Sequence, residues 1–165
     1  MNLYNTVANY KSVQTSNKKA EKKDAFWKGS IFKSIVNSSP KSKGAFGENL
    51  GSEICNKQYN LRVEKRTNAG HDRIIEGVRT EIKLSFCWDE TPGKWVFQQI
   101  RPDDDYERVI FIGINPDEVR IWWATKADAT TCSIPQHGGA EGNDTRWASI
   151  TAEQIPSQFK NMENW

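Results

Sequence analysis

From Val78 to Phe86 the chain alternates: Ile82, Leu84 and Phe86 fall on one face of a strand, and Arg79, Glu81, Lys83 and Ser85 on the other. A second short run, Asp72 to Ile75, precedes it, and Glu76-Gly77 between them is a two-residue connection whose glycine supplies the positive φ of a tight hairpin turn. This turn predicts the pairs Ile75 with Val78, Ile74 with Arg79, Arg73 with Thr80, and Asp72 with Glu81. Further apolar periodicity predicts a helix over 23–36 on Trp27, Ile31 and Ile35, ended by Asn37-Ser38-Ser39-Pro40. A second helix is expected over 43–57 with Phe46, Leu50 and Ile54 buried. Residues 59–65 alternate as a strand, and 67–70 turn the chain toward Asp72.

Beyond the hairpin, residues 89–93 read as a loop and 95–100 as an apolar segment. Residues 106–114 and 119–123 are two apolar strands joined at Asn115-Pro116-Asp117, which predicts an antiparallel pair. The glycine-rich stretch 136–144 is too long for a simple connection, and 151–159 is expected to form a short closing helix. The elements together predict an α/β (α+β) chain with a central mixed β-sheet flanked by α-helices.

The 165 residues, 36% hydrophobic with seven Trp and seven Phe, suit one domain with a sizeable core. Within it, 1–43 reads as a basic helical arm, 44–128 as the core and 129–165 as a loop and closing segment. Three cysteines without CxxC spacing suggest neither a disulfide framework nor a zinc site, so a cytoplasmic, reducing location is expected. No apolar run approaches the roughly 20 residues of a membrane span, and no export signal is recognised. Net charge is +2, but residues 1–43 hold nine Lys against two acids, leaving 14 basic and 19 acidic residues in the remainder. The arm is either a phosphate-contacting segment or a solvated helix surface.

The candidate chemistry lies on the hairpin. Directly opposed residues in such a pair have Cβ atoms roughly 4.5–5.5 Å apart, so Asp72 opposite Glu81 is destabilising unless a cation lies between them. A divalent metal resolves the conflict; a bulge or longer turn would re-aim one strand and remove it. Glu48 lies two residues from both Phe46 and Leu50. It is either a solvated glutamate favoured by the helix dipole or a group turned toward the hairpin's polar face. His71 and His137, the only histidines, are too few for a histidine-rich zinc site and read as loop residues.

An Asp, a short spacer and then Glu81-Ile82-Lys83 inside an apolar strand resembles the PD-(D/E)XK, or restriction-endonuclease-like, nucleases. His71 stands where the family name has Pro. Gly44-Ala45-Phe46-Gly47-Glu48 opens a helix upstream, as in many of these nucleases and in archaeal Holliday-junction resolvases, where an early helical Glu joins the site. Trp95 to Arg101 resembles the segment that carries a Gln near the scissile phosphate. The resemblance runs from about Gly44 to Asp128.

It implies a restriction-endonuclease-like core and a metal-dependent DNA endonuclease. Asp72 and Glu81 would bind Mg²⁺, for which Mn²⁺ can substitute, with the Ile82 carbonyl and Glu48, directly or through water, completing the set. Lys83 would orient or deprotonate the attacking water, and Gln98 or Gln99 would position water or phosphate. Strand alternation gives those two glutamines opposite faces. Arg62, Arg66, Arg79, Lys94, Arg101 and Arg146 are the candidate contacts to double-stranded DNA. A symmetric homodimer or higher oligomer is the simplest way for so short a chain to cut both strands. The resemblance does not separate a type II restriction-like or homing endonuclease from a junction resolvase or nuclease toxin, and a phage or mobile element stays open as source. A non-catalytic DNA-binding module is the alternative from another class. No nucleotide-binding glycine motif or nucleophile–base pair points to a small-molecule enzyme.

Overall fold

The reversal at residues 76 and 77 forms with both central residues left-handed, Glu76 at φ 49° and Gly77 at φ 79°, the backbone that matches a tight turn to the twist of its strands. It joins β2 (Arg73–Ile75) to β3 (Val78–Phe86) in the expected register, Ile75 opposite Val78, Ile74 opposite Arg79 and Arg73 opposite Thr80. The computed structural model describes residues 20–136 and 144–165. His137 and most of the glycine-rich stretch lie outside the described residues.

Before the hairpin come helical residues 20–26 (α1), a single turn α2 (Lys33–Val36), the long helix α3 (Pro40–Tyr59) and β1 (Val63–Lys65). After it come β4 (Lys94–Ile100), β5 (Arg108–Ile114), β6 (Val119–Thr125), α4 (Lys126–Thr131), β7 (Ile134–Pro135) and β8 (Arg146–Thr151). The strands form two sheets. One is five-stranded in the order β1-β2-β3-β5-β6, and the other has the order β4-β8-β7. Among the described residues only β3 and β5 run parallel; the other pairs are antiparallel, β5 with β6 among them, as the Asn115-Pro116-Asp117 turn predicts. The chain is thus an α+β protein with a mixed sheet flanked by helices.

Strand β5 lies at the centre, and its residues Val109 to Ile112 and Ile114 are fully buried. A strand covered on both faces reads as a continuous apolar run, which is what Val109 to Ile114 is. Helix α3 covers one face through two glycines: a Cβ on Gly47 would lie 2.8 Å from Leu84 Cβ, and one on Gly51 would lie 3.1 Å from Ile82. The second sheet covers the other face, setting Phe97 edge-on to Phe111 at 5.0 Å and Trp95 over Gly113, where a Cβ would fall 2.7 Å from the indole. One cluster of buried side chains runs from Trp27 to Met162. No described helix is long and apolar enough to cross a membrane.

Four expected elements differ. The helix over 23–36 is broken, because Gly29 turns left-handed at φ 79° and the Ser30 hydroxyl donates to the Pro116 carbonyl at 2.6 Å. Trp27, Phe32 and Val36 are buried, whereas Ile31 is 86% exposed. Pro40 starts a helix instead of only ending one: Ser39 is its N-cap, accepting from the Ser42 N–H, and Pro40 occupies the first turn, where its missing N–H is no loss. The same helix continues to Tyr59 and is capped by Asn60 at φ 54°, so the strand expected from 59 begins only at Val63. Residues 151–159 do not form a helix. They lead from β8 to a bridge between Lys160 and Trp123, followed by a 3-10 turn at Met162–Asn164.

Candidate active site

The hairpin ladder stops one pair short of the expected contact between Asp72 and Glu81. The Asp72 N–H donates to the Thr80 carbonyl at 3.0 Å, and its side chain then turns across the strand end, where Oδ2 accepts the Ile82 N–H at 2.8 Å. Past Thr80, then, β3 has no strand partner on the hairpin side among the described residues, and the Asp72 carboxylate satisfies the first backbone donor left open there. In a strand a residue's N–H and C=O leave toward the same neighbour, so the Ile82 carbonyl faces this edge as well. On the polar face of β3, Lys83 Nζ lies 2.6 Å from Glu81 Oε1, with only 17% and 14% of the two side chains exposed. The geometry therefore brings together Asp72, Glu81 and Lys83.

Burial raises the Asp72 carboxyl above its ordinary range, and the charge of Glu81 raises it further; the Ile82 N–H, Lys83 and Arg73 oppose the shift. Each carboxylate commits one oxygen to the protein. Asp72 Oδ1 and Glu81 Oε2 have no hydrogen-bond partner among the described residues, and neither is sealed from solvent. Two free carboxylate oxygens beside a backbone carbonyl form a hard-oxygen donor set suited to Mg²⁺, which is commonly held by one or two carboxylates and keeps several waters. Among the described residues no group of three or more His, Cys, Asp or Glu side chains has metal-holding geometry, so waters would supply the remaining ligands.

Glu48 is engaged elsewhere. Its Oε2 lies 3.1 Å from Arg73 Nη1, at a cleft of about 570 Å³ shared with Ser52, Glu64, Lys65 and Arg66. No hydrogen bond joins it to Asp72 Oδ1, Glu81 or Lys83. Gln98 and Gln99 are both exposed, because β4 is irregular between Phe97 and Ile100 and Gln99 sits at φ 57°. The strict alternation expected there does not hold. Gln98 lines a groove with Trp88, Lys94, Val96, Trp147 and Ser149, and neither glutamine hydrogen-bonds to the three hairpin residues. Strand β4 is nonetheless tied to β3, since the Val96 N–H donates to Ser85 Oγ at 3.0 Å.

The six basic candidates divide. Arg79 pairs with Asp105 and Glu107, Arg62 with Glu64, and Arg146 holds the Ser133 carbonyl at 2.9 Å and Asp144 at 3.2 Å. Arg66, Lys94 and Arg101 have no ion-pair partner among the described residues. His71 is only 1% exposed, far more enclosed than its loop position suggests; its Nε2 accepts from the Thr67 N–H, and its Nδ1 has no described partner. The residue that the sequence reading overlooks is Arg73. It sits opposite Thr80 in the predicted register, on the face that α3 covers, and that placement is the signal that could have singled it out.

No family model matches the chain, and comparison with curated proteins and with solved structures finds no significant match.

Proposed function

We propose that this protein is a Mg²⁺-dependent DNA endonuclease of the restriction-endonuclease-like type. The reading rests on one observation: Asp72, folded back onto the Ile82 N–H, stands beside the Glu81–Lys83 pair with one oxygen of each carboxylate left open. The resemblance of Glu81-Ile82-Lys83 and its upstream Asp to the family motif supports the same assignment, and a mixed sheet flanked by helices is compatible with it.

A bound divalent cation would supply an activated water and offset the charge that builds on the phosphate during hydrolysis. Asp72 Oδ1, Glu81 Oε2 and the Ile82 carbonyl are the atoms that would hold it. Lys83, on the same face as Glu81 and two residues on, holds its ammonium 2.6 Å from Glu81 Oε1. There it orients the attacking water and counters charge on a non-bridging phosphate oxygen. Its grip on Glu81 Oε1 keeps the ammonium from swinging into solvent. Of the six basic candidates, Arg66, Lys94 and Arg101, without an ion-pair partner among the described residues, would meet the DNA backbone, and a symmetric pair of chains would cut both strands.

Incubation with plasmid, phage and four-way-junction DNA, with and without Mg²⁺, tests the reading and its variants together. Discrete fragments indicate a restriction or homing enzyme, a smear a nonspecific nuclease or toxin, and cleavage confined to junctions a resolvase. DNA binding with every substrate left intact at saturating Mg²⁺ indicates a non-catalytic binding module instead.

A further inference from the structure

The guanidinium of Arg73 sits at the junction of α3 and the start of β2. Its Nη1 donates to the Asp72 carbonyl at 2.7 Å and to Glu48 Oε2 at 3.1 Å, its Nε to Ser52 Oγ at 2.9 Å, and its Nη2 to Asn49 Oδ1 at 3.3 Å. Ser52 Oγ in turn donates to the Glu48 carbonyl at 2.7 Å, so that acceptor on α3 is itself fixed. The side chains of Arg73 and Glu48 are 18% and 32% exposed, more enclosed than freely solvated surface groups.

We infer that Arg73 is a positioning residue that ties the Asp72 backbone to α3, and that Glu48 serves as its anchor and not as a metal ligand. This rests on the nuclease reading above. The physical need is plain. Strand β2 has only three residues, and Asp72 lies just beyond its end, where a short strand frays unless tertiary contacts hold it. Fixing the Asp72 carbonyl fixes the main chain from which the carboxylate reaches Ile82. A planar guanidinium can address four acceptors on two elements at once, and an ammonium cannot reproduce that fork. Residues 48 and 52 fall one turn apart, at i and i+4 on α3, with 49 at the flank of that face, so one helix supplies every side-chain acceptor.

The test is Mn²⁺ binding to the full chain, read from the electron paramagnetic resonance of the free ion, with thermal unfolding recorded for each variant. Wild type binds Mn²⁺ and Asp72→Asn loses it. Glu48→Gln, which keeps the acceptor for Arg73, binds close to wild type. Glu48→Ala and Arg73→Lys each weaken binding by about tenfold, the effect expected of a group that supports a ligand from behind. A merely structural arginine would lower the unfolding temperature and leave the affinity of the folded protein unchanged. The inference is overturned if Glu48→Gln loses Mn²⁺ as Asp72→Asn does, or if Arg73→Lys binds as wild type does. Should wild type itself fail to bind Mn²⁺, the nuclease reading falls and takes this inference with it; if wild type binds while Asp72→Asn and Glu48→Gln both lose the ion, only this inference falls.

Discussion

The Asp72 carboxylate accepts the backbone N–H of Ile82 at 2.8 Å, a contact made possible because β2 stops pairing with β3 at Thr80. A strand edge that would otherwise expose its donors thereby becomes the place where a carboxylate is pinned beside a second one. The arrangement is strained electrostatically, since Asp72 and Glu81 share a partly enclosed volume with a single amine, Lys83, hydrogen-bonded to Glu81. A divalent cation held as proposed would relieve that strain.

The first consequence is a pH dependence with a defined sign. Burial and Glu81 raise the Asp72 carboxyl above its ordinary value of 3.8, so the folded chain keeps this proton more tightly than the unfolded chain. Stability attributable to Asp72 therefore falls as pH climbs from the ordinary carboxylate range through the raised value, and the full deficit is present above it. Without metal, Asp72→Asn is expected to unfold at a higher temperature than wild type at neutral pH, because an amide oxygen can still accept from Ile82. That advantage should vanish at a pH low enough to protonate Asp72 in both states. Mg²⁺ at a hundredfold excess over its Kd should add about 2.7 kcal/mol to wild type, a rise in Tm of roughly 5–10 °C, and nothing to the variant. Calorimetric scans with chelator and with Mg²⁺ check both halves.

A second consequence follows from the contact between α3 and β3. Gly47→Ala places a Cβ 2.8 Å from Leu84 Cβ, on the strand that carries Glu81 and Lys83. Overpacking of this kind destabilises by about 1–3 kcal/mol, more than the roughly 1 kcal/mol that alanine gains over glycine inside a helix. Gly44, in the same helix with nothing within 4 Å of its missing Cβ, should show the opposite sign: Gly44→Ala stabilises by about 0.5–1 kcal/mol. Urea unfolding of the two variants separates packing from propensity.

The arginines differ in the same testable way. Arg146→Ala removes two hydrogen bonds to Ser133 and an ion pair with Asp144, and is expected to lower stability by about 1–3 kcal/mol. Arg66→Ala should leave stability unchanged. If Arg66 meets a phosphate, DNA affinity falls similarly on all sequences, and the slope of log affinity against log salt shrinks by about 1. Fluorescence anisotropy across a salt series measures it.

The hairpin was legible because two signals agree there. The alternation about Ile82 fixes which face is buried, and Glu76-Gly77 fixes the register, so a slip by one residue would turn Ile82 and Leu84 away from α3. The mixed sheet and the β5–β6 pair were legible for similar reasons. What pattern alone did not resolve was punctuation and third-dimension contact. Asn37-Ser38-Ser39-Pro40 reads from the pattern as the end of one helix, and the structure uses Ser39 as the cap of the next. The close approach of α3 depends on Gly47 and Gly51, which carry no hydrophobic signal. Asp72 leaves the ladder one residue before its predicted pairing, and Gln99 takes a left-handed backbone where alternation expects an extended one. Arg73 carries no comparable signal, because a charged residue on a short strand reads as surface until a helix is known to lie over it.

The most direct measurement is the rate at which purified wild type and Lys83→Ala break phosphodiester bonds in supercoiled DNA at saturating Mg²⁺, with folding of both confirmed by circular dichroism. Wild type should nick or linearise the DNA only when Mg²⁺ is present, and the variant should be slower by about 10²–10⁴-fold while binding DNA as well as before. Equal rates in the two proteins, or no Mg²⁺-dependent breakage by wild type on any DNA, would contradict a hydrolytic centre built from Asp72, Glu81 and Lys83.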